Sequence, residues 1–338
     1  MSKFAQVESW TDLKELARLR GIGEKQYIVL SADVFKDLGK RMQALGGTET
    51  YRYMDIQWGK YADGTDNIKV EGFEPQNLIA GSNIIFLASF HSNDVTLSQF
   101  SVFVYLLQSF IASMTIVLPF YPVGTQDRVD EEGKVAAANT YSILFSSLPS
   151  IGRPIRLMIY DIHALQNRFY FHSSCLPSLH SAIPLLFARL EATDISSVAF
   201  PDEGAAKRFS KMFAKAGFDV IVCGKVRDGD KRIVKINEGN PRQKNVIVVD
   251  DLVQTGGTLY ECGQALKEHG ATTVSAFVSH AVFPNSSWKR FDRASGGDRA
   301  IFDKILVTNS IPTTRFPPDS ETFEVLDLLP QILEDIHM

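Results

Sequence analysis

Residues 246–258 read VIVVDDLVQTGGT: a β-branched apolar run, two carboxylates and a glycine-bearing turn. They are followed by LYECGQALKEHG (259–270), a stretch with helical spacing and a closing glycine. A buried strand that turns tightly into a helix is the repeating unit of a parallel α/β sheet. The turn itself suits an anion. A helix start presents N–H groups with no partner inside the helix, together with the positive end of the dipole. Gly256 and Gly257 let the backbone approach an anion closely, and Thr255 and Thr258 add hydroxyl donors. Asp250 and Asp251 then stand about one sugar-length away, where carboxylates accept hydrogen bonds from ribose hydroxyls or reach a bound Mg²⁺. The order is neither GxxxxGK[ST] nor GxGxxG. Two glycines and a threonine alone would equally suit an ordinary N-capped helix. The whole string, with both acids, points to a phosphorylated ribose.

The same unit recurs outward from this loop. Apolar runs at 84–88 (IIFLA), 115–121, 157–160, 198–200 and 273–278 read as strands, and all but the last lead into a polar turn. Helical patterns fill 135–148 (VAAANTYSILFSSL) and 205–217 (AAKRFSKMFAKAG). The expectation is an α/β fold of two similar domains, each a mainly parallel sheet flanked by helices. In open parallel sheets, ligands bind beyond the carboxyl ends of the strands. Asp161, His163, Asp202, Asp250, Asp251 and the 125–128 turn are all expected there. Residues 227–244 and 293–299 read as loops, and 61–66 (YADGTD) as a polar turn.

Composition excludes several classes. The chain has 338 residues, enough for two domains, and a net charge of −4, which argues against a general nucleic-acid or anionic-membrane binder. Cys175, Cys223 and Cys262 form no CxxC pair or zinc-type cluster, so a reducing compartment, the cytoplasm, is the default. The first residues carry acids and no apolar h-region; they read as a short amphipathic helix capped by Thr11 and ended by Gly21. Residues 100–121 (FSVFVYLLQSFIASMTIVLPFY) are long and uncharged enough to imitate a membrane span. Gln108, the serines, Pro119 and the run TIVL instead read as a buried helix feeding a buried strand.

With these strings in view, the 246–258 loop resembles the phosphoribosyl-binding motif of the phosphoribosyltransferase superfamily. Four further strings narrow the resemblance to the ribose-phosphate diphosphokinases, which make 5-phosphoribosyl 1-diphosphate (PRPP). Residues 159–171 (IYDIHALQNRFYF) resemble their metal-binding segment, and 200–208 (FPDEGAAKR) their PDAGGAKR segment. Residues 119–128 (PFYPVGTQDR) are similar to their ATP-binding turn, and 307–312 (VTNSIP) to a strand near their C-terminus. The likeness runs from about Trp58 to the end and is greatest to the plant-type class II branch.

The resemblance implies a Mg²⁺-dependent diphosphoryl transfer from ATP to ribose 5-phosphate. It assigns Asp250, Asp251, Thr255, Gly256, Gly257 and Thr258 to ribose 5-phosphate, and Lys225 and Arg227 to a catalytic clamp on the transferring phosphates. It assigns His163 and Asp202 to the metal, and Tyr61, Asp63, Gln126, Asp127 and Arg128 to ATP. Tyr61 and Asp63 would be donated by a neighbouring subunit, which implies a homo-oligomer. The implied domains are residues 1–164, with the ATP turn, and 165–338, with the ribose 5-phosphate loop, the last helix packing back on the first. Without the resemblance, His163 reads as a structural histidine, Lys225 and Arg227 as a solvated loop, and Asp202 as a helix cap. Thr125, where most of the family has arginine, and Ala205, where it has glycine, depart from the pattern. Two other readings stay open here: a PRPP-consuming phosphoribosyltransferase, and a catalytically weak subunit that regulates a partner.

Overall fold

The computed structural model describes residues 25–129, 131–228 and 231–337. The helix expected between Thr11 and Gly21 lies outside the described residues. The chain divides into two compact units, one holding residues up to His180 and from Leu329 on, the other Ser181–Leu328.

The first unit opens with β1 (Tyr27–Ser31), α1 (Lys36–Gly46) and β2 (Tyr51–Tyr53). A small antiparallel pair follows, β3 (Ile56–Gln57) with β4 (Lys69–Val70). Then come β5 (Asn83–Leu87), α2 (Asn93–Leu107), β6 (Ser113–Leu118), α3 (Ala137–Ser146), β7 (Ile155–Tyr160) and β8 (Cys175–His180). The sheet order is β2-β1-β5-β6-β7-β8, and every pairing is parallel. The membrane-like stretch resolves into α2, whose Phe100, Phe103 and Leu106 are buried, and the buried strand β6. No helix of the described residues is long and apolar enough to cross a membrane.

The second unit runs α4 (Ile183–Leu190), β9 (Ser197–Phe200), α5 (Glu203–Lys215), β10 (Asp219–Asp228) and β11 (Lys231–Glu238). It continues through β12 (Asn245–Val253), α6 (Gly257–Glu268), β13 (Thr273–Ala281), β14 (Ile305–Thr308) and β15 (Phe323–Leu326). Its order is β11-β10-β9-β12-β13-β14-β15, parallel except for the β10–β11 hairpin. With β11 set aside, this is the first unit's permutation repeated. The last helix, α7 (Leu329–Ile336), belongs with the first unit. Arg156 of β7 donates to the carbonyls of Asp335 and Ile336 at 2.9 Å each, and Tyr160 donates to the Asp335 carboxylate at 2.9 Å. A cation on the last carbonyls of a helix satisfies orphan acceptors and the negative end of the dipole together.

The structure departs from the sequence reading in three places. Residues 231–238 are not loop but strand: Val234 is buried and Ile236 packs partly buried in the core, so alternate residues face inward despite the interleaved charges. Asp250 and Asp251 lie inside β12 rather than past it, because pairing with β13 continues to Val253 opposite Ala281. The division between units follows His180 instead of Ala164, since β8 pairs with β7 along Cys175–His180 and completes the first sheet.

Candidate active site

In the second unit, the carboxyl ends of β9 and β12 converge. Asp202 is the N-cap of α5 and accepts the Ala205 N–H at 3.0 Å, so its carboxylate caps the helix. Asp250 accepts the N–H of Asp251 at 2.9 Å. Arg208, on α5, donates to Asp251 at 3.4 Å. Burial, and then the adjacent Asp251 and Asp202 charges, push the Asp250 carboxyl well above the usual carboxylate range. Three carboxylates therefore lie within reach of one another, and Arg208 bonds one of them.

The loop beyond them is open. Gly256 precedes α6 at φ 75°, ψ 14°, and no side chain caps the helix. A Cβ on Gly256 would fall 2.4 Å from the Phe291 ring, so both its left-handed backbone and its packing require glycine. Gly257 faces open space apart from one Arg299 nitrogen at 4.0 Å. Thr255 is exposed and Thr258 partly so. Upstream, Lys225 and Arg227 lie on β10, paired through the backbone with Val234 and Arg232 of β11.

In the first unit, the 122–128 turn and the segment after β7 are braced together. Asn167 donates to the Gly124 carbonyl at 3.0 Å, and a Cβ on Gly124 would lie 3.7 Å from the His163 backbone nitrogen. Asp127 is buried and accepts from Gln166 at 2.8 Å, while Tyr170 donates to its carbonyl at 2.9 Å. Its carboxylate therefore holds the turn in shape, leaving Gln126 and Arg128 exposed beside it and His163 exposed on the adjoining segment. Tyr61 and Asp63 occupy a separate surface turn. Asp63 accepts the N–H and hydroxyl of Thr65 at 3.0 and 2.6 Å, which holds its carboxyl below the usual range, and Tyr61 is 58% exposed. Lys60 ties this turn to Asp94 of α2 at 2.7 Å.

The sequence reading missed Arg208, Gln166, Tyr170 and Phe291 as supports of the site. Arg208 and Gln166 sat within the strings FPDEGAAKR and IYDIHALQNRFYF; nothing local marked Phe291, which reaches Gly256 from beyond β13. Also unforeseen is the Cys223–Cys262 contact, Sγ to Sγ at 3.5 Å, between two buried free thiols.

Among the described residues, no group of three or more His, Cys, Asp or Glu side chains is arranged to hold a metal ion. Carboxylates are hard donors, an imidazole a softer one, and Mg²⁺ commonly takes one or two carboxylates and completes its shell with water and substrate phosphates. The residues present thus fit a Mg²⁺ that arrives with a nucleotide rather than one held in a protein cage.

Comparison with known proteins agrees with this geometry. The phosphoribosyl transferase domain model matches residues 179–300. Ribose-phosphate pyrophosphokinase 3, chloroplastic, of Oryza sativa subsp. japonica is 42% identical over 310 residues, covering 90% of this chain and 74% of that protein. Ribose-phosphate pyrophosphokinase 4 of Arabidopsis thaliana is 46% identical over 288 residues, 84% of each chain. The crystal structure of phosphoribosylpyrophosphate synthetase from Mycobacterium smegmatis shares the fold, with a TM-score of 0.74 and 22% identity over 92% of this chain and 98% of that one. Two matching units, an uncapped glycine loop behind paired acids and identity of this extent lead to one conclusion: the chain belongs to the ribose-phosphate pyrophosphokinase family of enzymes.

Proposed function

We propose that this chain transfers the β,γ-diphosphate of ATP to the C1 hydroxyl of ribose 5-phosphate, giving PRPP and AMP. The observation that carries the reading is the open start of α6, with Gly256 left-handed and Asp250 and Asp251 just before it, in a member of this family. The C1 oxygen forms its bond to the β-phosphorus as the bond from that phosphorus to the oxygen retained by AMP breaks; the hydroxyl proton is released. Catalysis of this kind rests on positioning and charge neutralisation. Thr255, Gly256, Gly257 and Thr258 would hold the 5-phosphate, while Asp250 and Asp251 accept from the ribose hydroxyls. Lys225 and Arg227 would clamp the transferring phosphates. Gln126, Asp127 and Arg128 would form the nucleotide side, Asp127 by bracing the turn. Bound Mg²⁺ would neutralise the phosphate oxygens, and His163 and Asp202 are the residues assigned to hold it. The exposure of Tyr61 favours donation of the 61–63 turn to a neighbour's ATP, and hence a homo-oligomer. Three free, buried thiols favour the cytoplasm, although the relative named chloroplastic makes an organelle the competing outcome, separable by cell fractionation.

Incubation with ATP, Mg²⁺ and ribose 5-phosphate, followed by ³¹P spectroscopy, tests the reaction. AMP and PRPP are expected. Folded protein without turnover would contradict it and favour a regulatory subunit; consumption of added PRPP with a base would favour a phosphoribosyltransferase.

A further inference from the structure

We propose that Arg299 is the side-chain cation that binds the sugar's 5-phosphate at the start of α6. The inference rests on assigning that helix start to ribose 5-phosphate. Residues 253–258 (VQTGGT) contain no lysine or arginine, so the loop itself offers a dianion only N–H groups and hydroxyls. Positive charge reaches it from a segment far along the chain. Phe291 lies against Gly256, and the side chains of Ile301 and Phe302 lie so close to Gly263 that a Cβ there would fall 2.8 and 2.7 Å from them. Residues 291–302 thus run along α6. Within this segment Arg299 is fixed by its backbone, its N–H donating to Arg290 and its carbonyl accepting from Ile301, both at 2.8 Å.

The guanidinium lies over the Tyr260 ring, 5.1 Å from its centroid, with one nitrogen 4.0 Å from the place a Gly257 Cβ would take. Asp298, next in sequence, feels the Arg299 charge, but both of its carboxylate oxygens accept from Arg290, at 3.0 and 2.7 Å. Among the described residues, no carboxylate forms an ion pair with Arg299. A cation beside a helix N-terminus has the wrong sign for the dipole, and stacking on Tyr260 offsets only part of that cost. An anion bound between the guanidinium and the helix start satisfies both. Phosphate matches the planar donor fork of arginine, so this arrangement selects 5-phosphorylated pentoses over unphosphorylated ones.

Calorimetric titration of the full chain with ribose 5-phosphate tests the role, using wild type, Arg299→Gln and Arg299→Lys. Loss of one charge-assisted contact predicts about 10–100-fold weaker binding in Arg299→Gln, with partial recovery in Arg299→Lys. KM for ATP should stay within about threefold and the thermal midpoint should hold, which a merely structural arginine would not predict. Wild-type binding matched by Arg299→Gln would overturn the role of Arg299 alone. Absence of wild-type binding would overturn the ribose 5-phosphate site, and Arg299 with it.

Discussion

Helix α2 follows β5 and helix α6 follows β12, and the two strands hold the same place in their sheets, between β1 and β6 in one and between β9 and β13 in the other. Their starts have opposite character. At α2, Ser92 caps the helix by accepting the Val95 N–H at 3.3 Å. Gln99, one helical turn and more along, reaches back to the loop: its amide accepts from the Ser89 N–H at 3.1 Å and donates to the Ser89 carbonyl at 2.7 Å. The buried glutamine thus pairs both backbone groups of Ser89, so the loop is held from within. At α6 no side chain caps, Gly256 turns left-handed, Thr255 is exposed, and Gly257 and Thr258 are partly exposed. One topology thus yields a turn closed by its own side chains and a turn left open. The choice is made by a handful of side chains.

The hairpins repeat the contrast. The β3–β4 hairpin with the 61–66 turn follows β2, and the β10–β11 hairpin with Lys225 and Arg227 grows out of β10, the strand in the equivalent place. The first ends in a small, self-bonded turn; the second is long and basic.

The largest expected break in this comparison comes from Gly256→Ala. The added Cβ meets the Phe291 ring at 2.4 Å in a backbone region that disfavours alanine. Stability should fall by about 1–3 kcal/mol, and kcat/KM for ribose 5-phosphate by at least about 100-fold, read by denaturant titration and steady-state kinetics. Unchanged kinetics would mean the open turn is not the sugar site.

Asp250→Asn sharpens the contrast through pH. The raised Asp250 pKa means the folded state holds this proton more tightly than the unfolded chain, so wild-type stability falls as pH rises above the ordinary carboxylate value of about 3.9. The asparagine variant escapes that loss and keeps an oxygen for the Asp251 N–H. Its thermal midpoint should match wild type near pH 3 to 4 and exceed it at neutral pH, while ribose 5-phosphate binding weakens about 10–100-fold. A midpoint below wild type at neutral pH would refute the crowding of acids around Asp250.

The smallest functional effect belongs to Gln99→Ala. Two buried backbone groups of Ser89 lose their partner, at a cost of about 1–3 kcal/mol. Turnover by the folded fraction should stay near wild type. A large rise in KM for ribose 5-phosphate would show that the first unit's helix start also serves the sugar.

Much of this was legible in the sequence because the signals were local. The strand-turn-helix alternation, the terminal Gly217 and Gly270, and the string VIVVDDLVQTGGT each carry their structure within a few residues. Residues 231–238 misread as loop because their charges masked the inward alternation through Val234 and Ile236, which only the cover over the sheet reveals. Gln99 gave no sign that it would plug the loop at Ser89, ten residues away. Phe291 and Arg299 were equally silent, since they meet α6 only after β13 has been built. Local grammar identified the open turn; long-range packing determines which helix start stays open.

Amide hydrogen exchange with and without ribose 5-phosphate tests this most directly. The account predicts that the sugar slows exchange in peptides covering residues 254–262 at the start of α6 and leaves those covering 88–99 at the start of α2 unchanged. Protection at 88–99, or none at 254–262 under saturating sugar, would contradict it.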